Sequence, residues 1–115
     1  MRIDWENANI YLKPGATDMR KQSSTLAVAV EREMRRDVLS GNLFVFCGRN
    51  RKSIKVLYWE KNGFCMWQKR LEKDRFPWPA DETEARQISK DQLFMLLRGI
   101  DFFKEHKPVF YTAVS

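Results

Sequence analysis

Little in this chain of 115 residues marks a catalyst or a membrane protein. It has one histidine, His106, and two cysteines, Cys47 and Cys65, too few for a structural zinc site of the usual four ligands. It has no run of about 18 apolar residues, so it has no helical membrane span. The opening Met1-Arg2-Ile3-Asp4-Trp5-Glu6 lacks the apolar core of a secretory signal, so secretion is not expected. The phosphate-binding P-loop, the glycine-rich dinucleotide fingerprint, the paired-histidine metal motif and the Gly-x-Ser-x-Gly elbow are all missing. His106 sits among Lys104, Glu105 and Lys107 and reads as a surface residue. The carboxylates Asp18, Asp37, Glu60, Glu72 and Asp74 mostly lie beside cations, as surface pairs do, and not in the clusters that hold catalytic metals. The expectation is a non-enzyme with no catalytic residue, no metal and no cofactor.

What is present is a core. Hydrophobic residues make up 43% and aromatics 13%, which argues against disorder, and the length suits a single domain over 1–115. The stretch from Leu43 to Leu71 reads as a three-strand antiparallel meander. Asn62-Gly63 is a strong hairpin signal; taken as a two-residue turn, it sets Lys61 opposite Phe64 and Trp59 opposite Met66. Cys47 and Cys65 then lie about six residues apart along the sheet, roughly 20 Å at about 3.3 Å per residue, which is too far to bridge. Both read as buried thiols in a reducing cytoplasm.

One face of the meander carries Leu43, Val45, Cys47, Ile54, Val56, Tyr58, Cys65, Trp67 and Leu71. It reads as the core under a long helix. The other carries Phe44, Phe46, Leu57, Trp59, Phe64 and Met66 with Lys55, Lys61 and Arg70, and is apolar in the middle and basic at its edges. A second helix covers this mixed face, or it is a docking surface for a partner through Trp59, Phe64 and Met66. Base stacking on Trp59 competes there with ordinary strand packing.

Asn9–Lys13 is a short strand ended by Pro14-Gly15, and Thr17-Asp18 offers an N-cap for a helix from Met19 to Leu39. Leu26, Val30 and Met34 form its apolar stripe, Glu31 pairs with Arg35, Arg35-Arg36 suit its negative end, and Ser40-Gly41 stops it. After the meander, Phe76-Pro77-Trp78-Pro79 pins a connection onto the core, 80–85 reads as a mobile polar loop, and Arg86–Ile88 as a short strand. Ser89-Lys90-Asp91-Gln92 is a capping box for a helix with Leu93, Leu96, Leu97 and Ile100 on one stripe and Gly99 at its end. The order of the tail at 104–115 is open, with Val109-Phe110-Tyr111 either an edge strand or a packed segment. The fold class expected is therefore α+β. A small antiparallel sheet, the meander plus one or two short edge strands, packs with a long N-terminal helix and a shorter C-terminal one.

The net charge is +6, and its distribution is uneven. Residues 44–75 hold nine Lys/Arg against three Asp/Glu, while the rest of the chain holds twelve of each. The whole excess is local to the meander, the footprint of a basic patch. Arg49-Asn50-Arg51-Lys52 with Lys55 can reach a phosphate backbone, or can be a solvated hairpin tip. Arg20-Lys21 in a first helical turn would join free amides to two cations as a phosphate site, unless Asp18 neutralises them.

Six stretches in order carry a resemblance: Tyr11–Lys21, Ser40–Phe46, Gly63-Phe64, Lys69-Arg70-Leu71-Glu72, Phe76–Pro79 and Leu96–Asp101. They resemble the TnpB (second reading frame) accessory proteins of the bacterial insertion-sequence family numbered sixty-six, which are distinct from the RNA-guided nuclease sharing those letters. The likeness spans about residues 9 to 103. It implies a protein encoded beside a separate transposase that assists transposition, with no established catalytic residues. The family's basic run is matched by Arg49-Asn50-Arg51-Lys52. At Asp37-Val38-Leu39 this chain departs from the family's Asp-Pro-Phe, which would let the helix run on.

The function expected is a non-catalytic accessory protein that is cytoplasmic and nucleoid-associated. It would meet DNA backbone phosphates through Arg49, Arg51, Lys52, Lys55, Lys69 and Arg70, with Arg20 and Lys21. Its partners would be DNA, the transposase and other element-encoded proteins. The alternative is a protein–protein adaptor for the transposase with little direct DNA contact.

Overall fold

The computed structural model describes residues 3–80 and 85–99. The polar 81–84 stretch and the 100–115 tail, with the expected Val109–Tyr111 strand and the Ile100 contact, lie outside the described residues. Five strands and two helices follow in order: β1 (Ile10–Leu12), α1 (Ser23–Arg32), β2 (Leu43–Cys47), β3 (Ser53–Glu60), β4 (Gly63–Arg70), β5 (Arg86–Ile88) and α2 (Lys90–Leu97). They form one sheet in the order β4-β3-β2-β1-β5.

The meander forms as its alternating pattern requires, but the rest corrects the expected fold class. The sheet is mixed, because β1 runs parallel to β2, with Ile10 opposite Leu43 and Leu12 opposite Val45. Parallel neighbours need a crossover, and the segment containing α1 supplies it. β1 is an interior strand, flanked on its other side by antiparallel β5 with Ile10 opposite Ile88.

The N-terminal helix is short, at 10 residues, in place of the expected run from Met19 to Leu39. Both ends are diverted by competing bonds. Thr17 N donates to Cys47 O at 2.8 Å, which holds that residue to the sheet. Asp18 folds a local turn by accepting from Arg20 N at 2.9 Å instead of capping a helix. The helix starts after Gln22, which makes no side-chain cap bond. At the other end Glu33 and Met34 amides both donate to Ala29 O, and Arg35 turns left-handed at φ 56. The Glu31 carboxylate, expected to pair with Arg35, accepts from Val38 N at 2.8 Å. Arg36 leaves the helix axis and lies over the Tyr11 ring, 4.6 Å from its centroid. Lys13 pairs with Glu33 at 3.4 Å and ties the end of β1 to that of α1.

The two faces have the expected members but not the expected cover. α1 packs on the mixed face, where Leu26, Ala27, Ala29, Val30, Met34 and Val38 close over Tyr11, Phe44, Phe46 and Leu57. Fully burying a side chain such as Phe44 or Phe46 stabilises by roughly 1.5–3 kcal/mol. The opposite face is covered by Leu93 and Leu96 of α2 and by Phe76, with Ile3 and Trp5 packed beside them. The capping box of α2 forms on both sides: Gln92 N donates to Ser89 Oγ and Ser89 N to Gln92 Oε1. Gly99 ends that helix with φ 78. Trp78 pins its connection as expected, donating from Nε1 to Lys13 O at 3.0 Å.

The hairpin register also needs correcting. Trp59 faces Phe64 and Glu60 faces Gly63, so Lys61 and Asn62 are the turn. Lys61 takes a left-handed φ of 55, and Asn62 N donates to Glu60 O at 2.6 Å. The slip is one residue on each strand, so every side chain keeps its face. Opposite Cys65 stands Tyr58 and opposite Cys47 stands Ile54, four positions apart along β3 in place of six. Both thiols are free, Cys47 buried but Cys65 only half-buried.

Candidate functional site

β1 and β2, the parallel pair, end on the same side of the sheet. The chain leaving β1 runs through Ala16, Thr17, Asp18, Met19 and Arg20, and the chain leaving β2 through Gly48, Arg49 and Asn50. Ser53 opens β3 and pairs with Arg70, the end of β4. These segments wall a cleft of about 690 Å³. The region beyond the carboxyl ends of parallel strands is the usual ligand side of open α/β sheets.

Three expected cations converge here, Arg20, Arg49 and Arg70, drawn from three separate segments. Arg49 and Arg70 are exposed. Arg20 grips Asp18 in a two-pronged pair, Nη2 to Oδ2 at 2.8 Å and Nε to Oδ1 at 3.0 Å. That pairing, with the Arg20 amide, holds the Asp18 carboxyl well below the ordinary carboxylate range and raises the Arg20 guanidinium. Asp18 therefore does neutralise Arg20, and no helical first turn surrounds it. Gly48 makes the close approach possible, since a Cβ there would stand 2.8 Å from Met19 Cγ.

The other expected cations face elsewhere. Lys55 is buried at 7% exposure, opposite Phe46, and its Nζ donates to Lys21 O at 2.9 Å. It is an internal strut, as a lysine beside Phe46 in the apolar middle of the sheet could have signalled. Lys21 is half-buried and engaged through that carbonyl. Lys69 Nζ donates to Leu97 O at 2.8 Å and satisfies an end carbonyl of α2. Arg51 turns inward at φ 64 and lies against Cys47, with its Nη1 buried and unpaired. Burial pushes the Cys47 thiol up to about 11, although the Arg51 charge pulls the other way. Lys52 is half-buried, and its carbonyl accepts from Leu71 N at 2.8 Å. Asn50, Ser53 and Thr17 complete the cleft wall and carry no sequence signal beyond proximity to the basic loop.

The expected partner surface is part covered and part open. Trp59 and Phe64 are half-buried against each other, ring centroids 5.0 Å apart, while Met66 is 37% exposed. On the opposite face an apolar groove of about 260 Å³ lies between the sheet and α2, bounded by Trp5, Trp67, Phe94 and Leu97. Tyr58 lies beneath it, its hydroxyl pushed up to about 12 by burial and the adjoining Cys65. Among the described residues no group of three or more His, Cys, Asp or Glu could hold a metal ion. None of the helices among them is long and apolar enough to cross a membrane.

A basic cleft on a small mixed sheet does not by itself define one reaction. The family is more specific: residues 8–107 match the model of the IS66 Orf2 like protein family, and the chain belongs to that family. It is therefore an insertion-sequence-associated protein. The chain is 41% identical over 97 residues to the uncharacterized protein y4hO of Sinorhizobium fredii, covering 84% of each chain. It is 27% identical over 93 residues to the uncharacterized protein y4jC of the same organism, covering 80% of each. No solved structure matches it.

Proposed function

We propose that this chain is a non-catalytic accessory protein of insertion-sequence transposition that contacts DNA phosphates, with the element's transposase as its protein partner. It works as one domain, in the cytoplasm beside the nucleoid. The observation that carries the reading is the convergence of Arg20, Arg49 and Arg70 on one cleft. Phosphate contacts by such cations release counterions, so binding falls steeply with salt. A mobility-shift titration with element-end duplex tests this. Binding at low salt is expected, and the double variant Arg49→Gln/Arg70→Gln is expected to weaken it and reduce the salt slope by about 2, one for each lost contact. No shift at low salt with the native chain sinks the reading.

The adaptor reading keeps one supporting observation: β4 is the sheet's edge strand and leaves Met66 and Trp67 each 37% exposed. Copurification with the transposase that is abolished by Trp59→Ala, and untouched by changes at 49–52, would favour it.

A further inference from the structure

The shape and charge of the cleft say which phosphate enters it. At about 690 Å³ it falls within the roughly 300–1,000 Å³ of small-ligand sites. A duplex is a convex rod whose backbone can touch only the rim of such a concavity. Among the described residues the walls carry three guanidinium groups, Arg20, Arg49 and Arg70, against one carboxylate, Asp18, and no lysine. Guanidinium forks match phosphate oxygens in pairs, whereas ammonium groups act as point charges. The lining's net charge of two positives exceeds the single negative charge of a backbone diester. It matches a phosphate monoester, which carries about −1.5 to −2 at pH 7.

We infer that the cleft binds a phosphate monoester, carried by the end of a nucleic-acid strand or by a free nucleotide. The inference rests on the DNA-contact reading above and narrows it, leaving diester contacts to the rim. Ionisation separates the two ligands. A monoester loses its second proton at about pH 6, whereas a diester does not titrate there. On the cleft wall Arg20 holds the Asp18 carboxyl well below the ordinary carboxylate range, and the other charged groups there are the guanidinium groups of Arg49 and Arg70. Close by, burial pushes the Cys47 thiol up to about 11, and Arg51 and Lys52 are the cations of the adjoining loop.

Fluorescence anisotropy at low salt on the full chain tests this with one single-stranded oligonucleotide carrying either a 5′-phosphate or a 5′-hydroxyl. The phosphorylated strand is expected to bind about tenfold tighter, the effect of one added charge-assisted contact. The preference should grow from about pH 5.5 to about pH 7.5. Arg49→Gln and Arg70→Gln should each cut it to about twofold or less; both side chains are exposed, and a circular-dichroism melt verifies the fold. An unlabelled 5′-mononucleotide that competes as well as the phosphorylated strand makes a free nucleotide the source, and failure to compete makes it a strand end. Equal binding of the two oligonucleotides overturns the inference and leaves the DNA-contact reading standing. Binding to neither strand nor to duplex overturns both.

Discussion

The meander has two basic connections, and the fold treats them oppositely. The 48–52 loop is stitched down. Gly48 N donates to Ser53 O, Arg51 N to Gly48 O, and Lys52 N to Asn50 Oδ1, at 2.9, 3.0 and 3.0 Å. Its own carbonyls receive the next segments, Arg51 O from Phe76 N at 2.6 Å and Lys52 O from Leu71 N at 2.8 Å. The Lys61-Asn62 tip is exposed and turns in solvent. The first carries Arg49, Arg51 and Lys52 and the second Lys61 alone, so the more basic loop is the one the fold ties down. The tethering of the first loop is what holds Arg49 in the same wall as Arg20 and Arg70.

The contrast can be broken most severely at Phe76, which is 2% exposed and bonded to the first loop. Phe76→Ala should cost about 3–5 kcal/mol in urea unfolding, by cavity formation. Next comes a matched glycine pair. Gly48→Ala forces a Cβ to 2.8 Å from Met19 Cγ and should cost about 1–3 kcal/mol, whereas Gly63→Ala, with open space around it, should stay within about 0.5 kcal/mol. Equal costs would erase the distinction.

A second pair sharpens it through sign. Arg51 and Lys61 both sit at positive φ, 64 and 55, where a side chain is strained. Lys61→Gly should raise stability by up to about 1 kcal/mol. Arg51→Gly should lower it, because the half-buried guanidinium also packs against Cys47. The smallest effect concerns Asp18. Its carboxyl is held below the ordinary 3.8, so the folded state favours the charged form. The stabilisation from its pair with Arg20 is complete above that ordinary value and is lost as pH falls below it. Asp18→Asn should flatten the acid limb of a stability-versus-pH curve, with its loss of stability present between about pH 6 and about pH 8 and vanishing in strong acid. Because the pair is exposed, added salt should shrink the difference.

The legible parts were those governed by local pattern. Alternation fixed the strands of the meander and the face of each residue, and Ser89 with Gln92 announced the start of α2. The register slipped because Lys61, not Gly63, took the left-handed position, a choice no propensity scale favours. The long helix failed although its apolar stripe continues through Met34, because Glu31 and Arg35 left the pairing that would have extended it. Which helix covers which face depends on the parallel placement of β1, a long-range fact. The same holds for the site. Arg20, Arg49 and Arg70 are far apart in sequence, and Lys55, in the most basic stretch, went inside.

The pairing of β1 with β5 has a consequence for how the chain is made. Synthesis runs from the N-terminus, and Ile10–Leu12 can find β2 once Leu43–Val45 has emerged. Its other edge waits for Arg86–Ile88, so while residues 46–85 are being made the nascent sheet presents a strand with unpaired amides and carbonyls. With only three residues to that strand, the interval of exposed edge is long but the sticky surface is short.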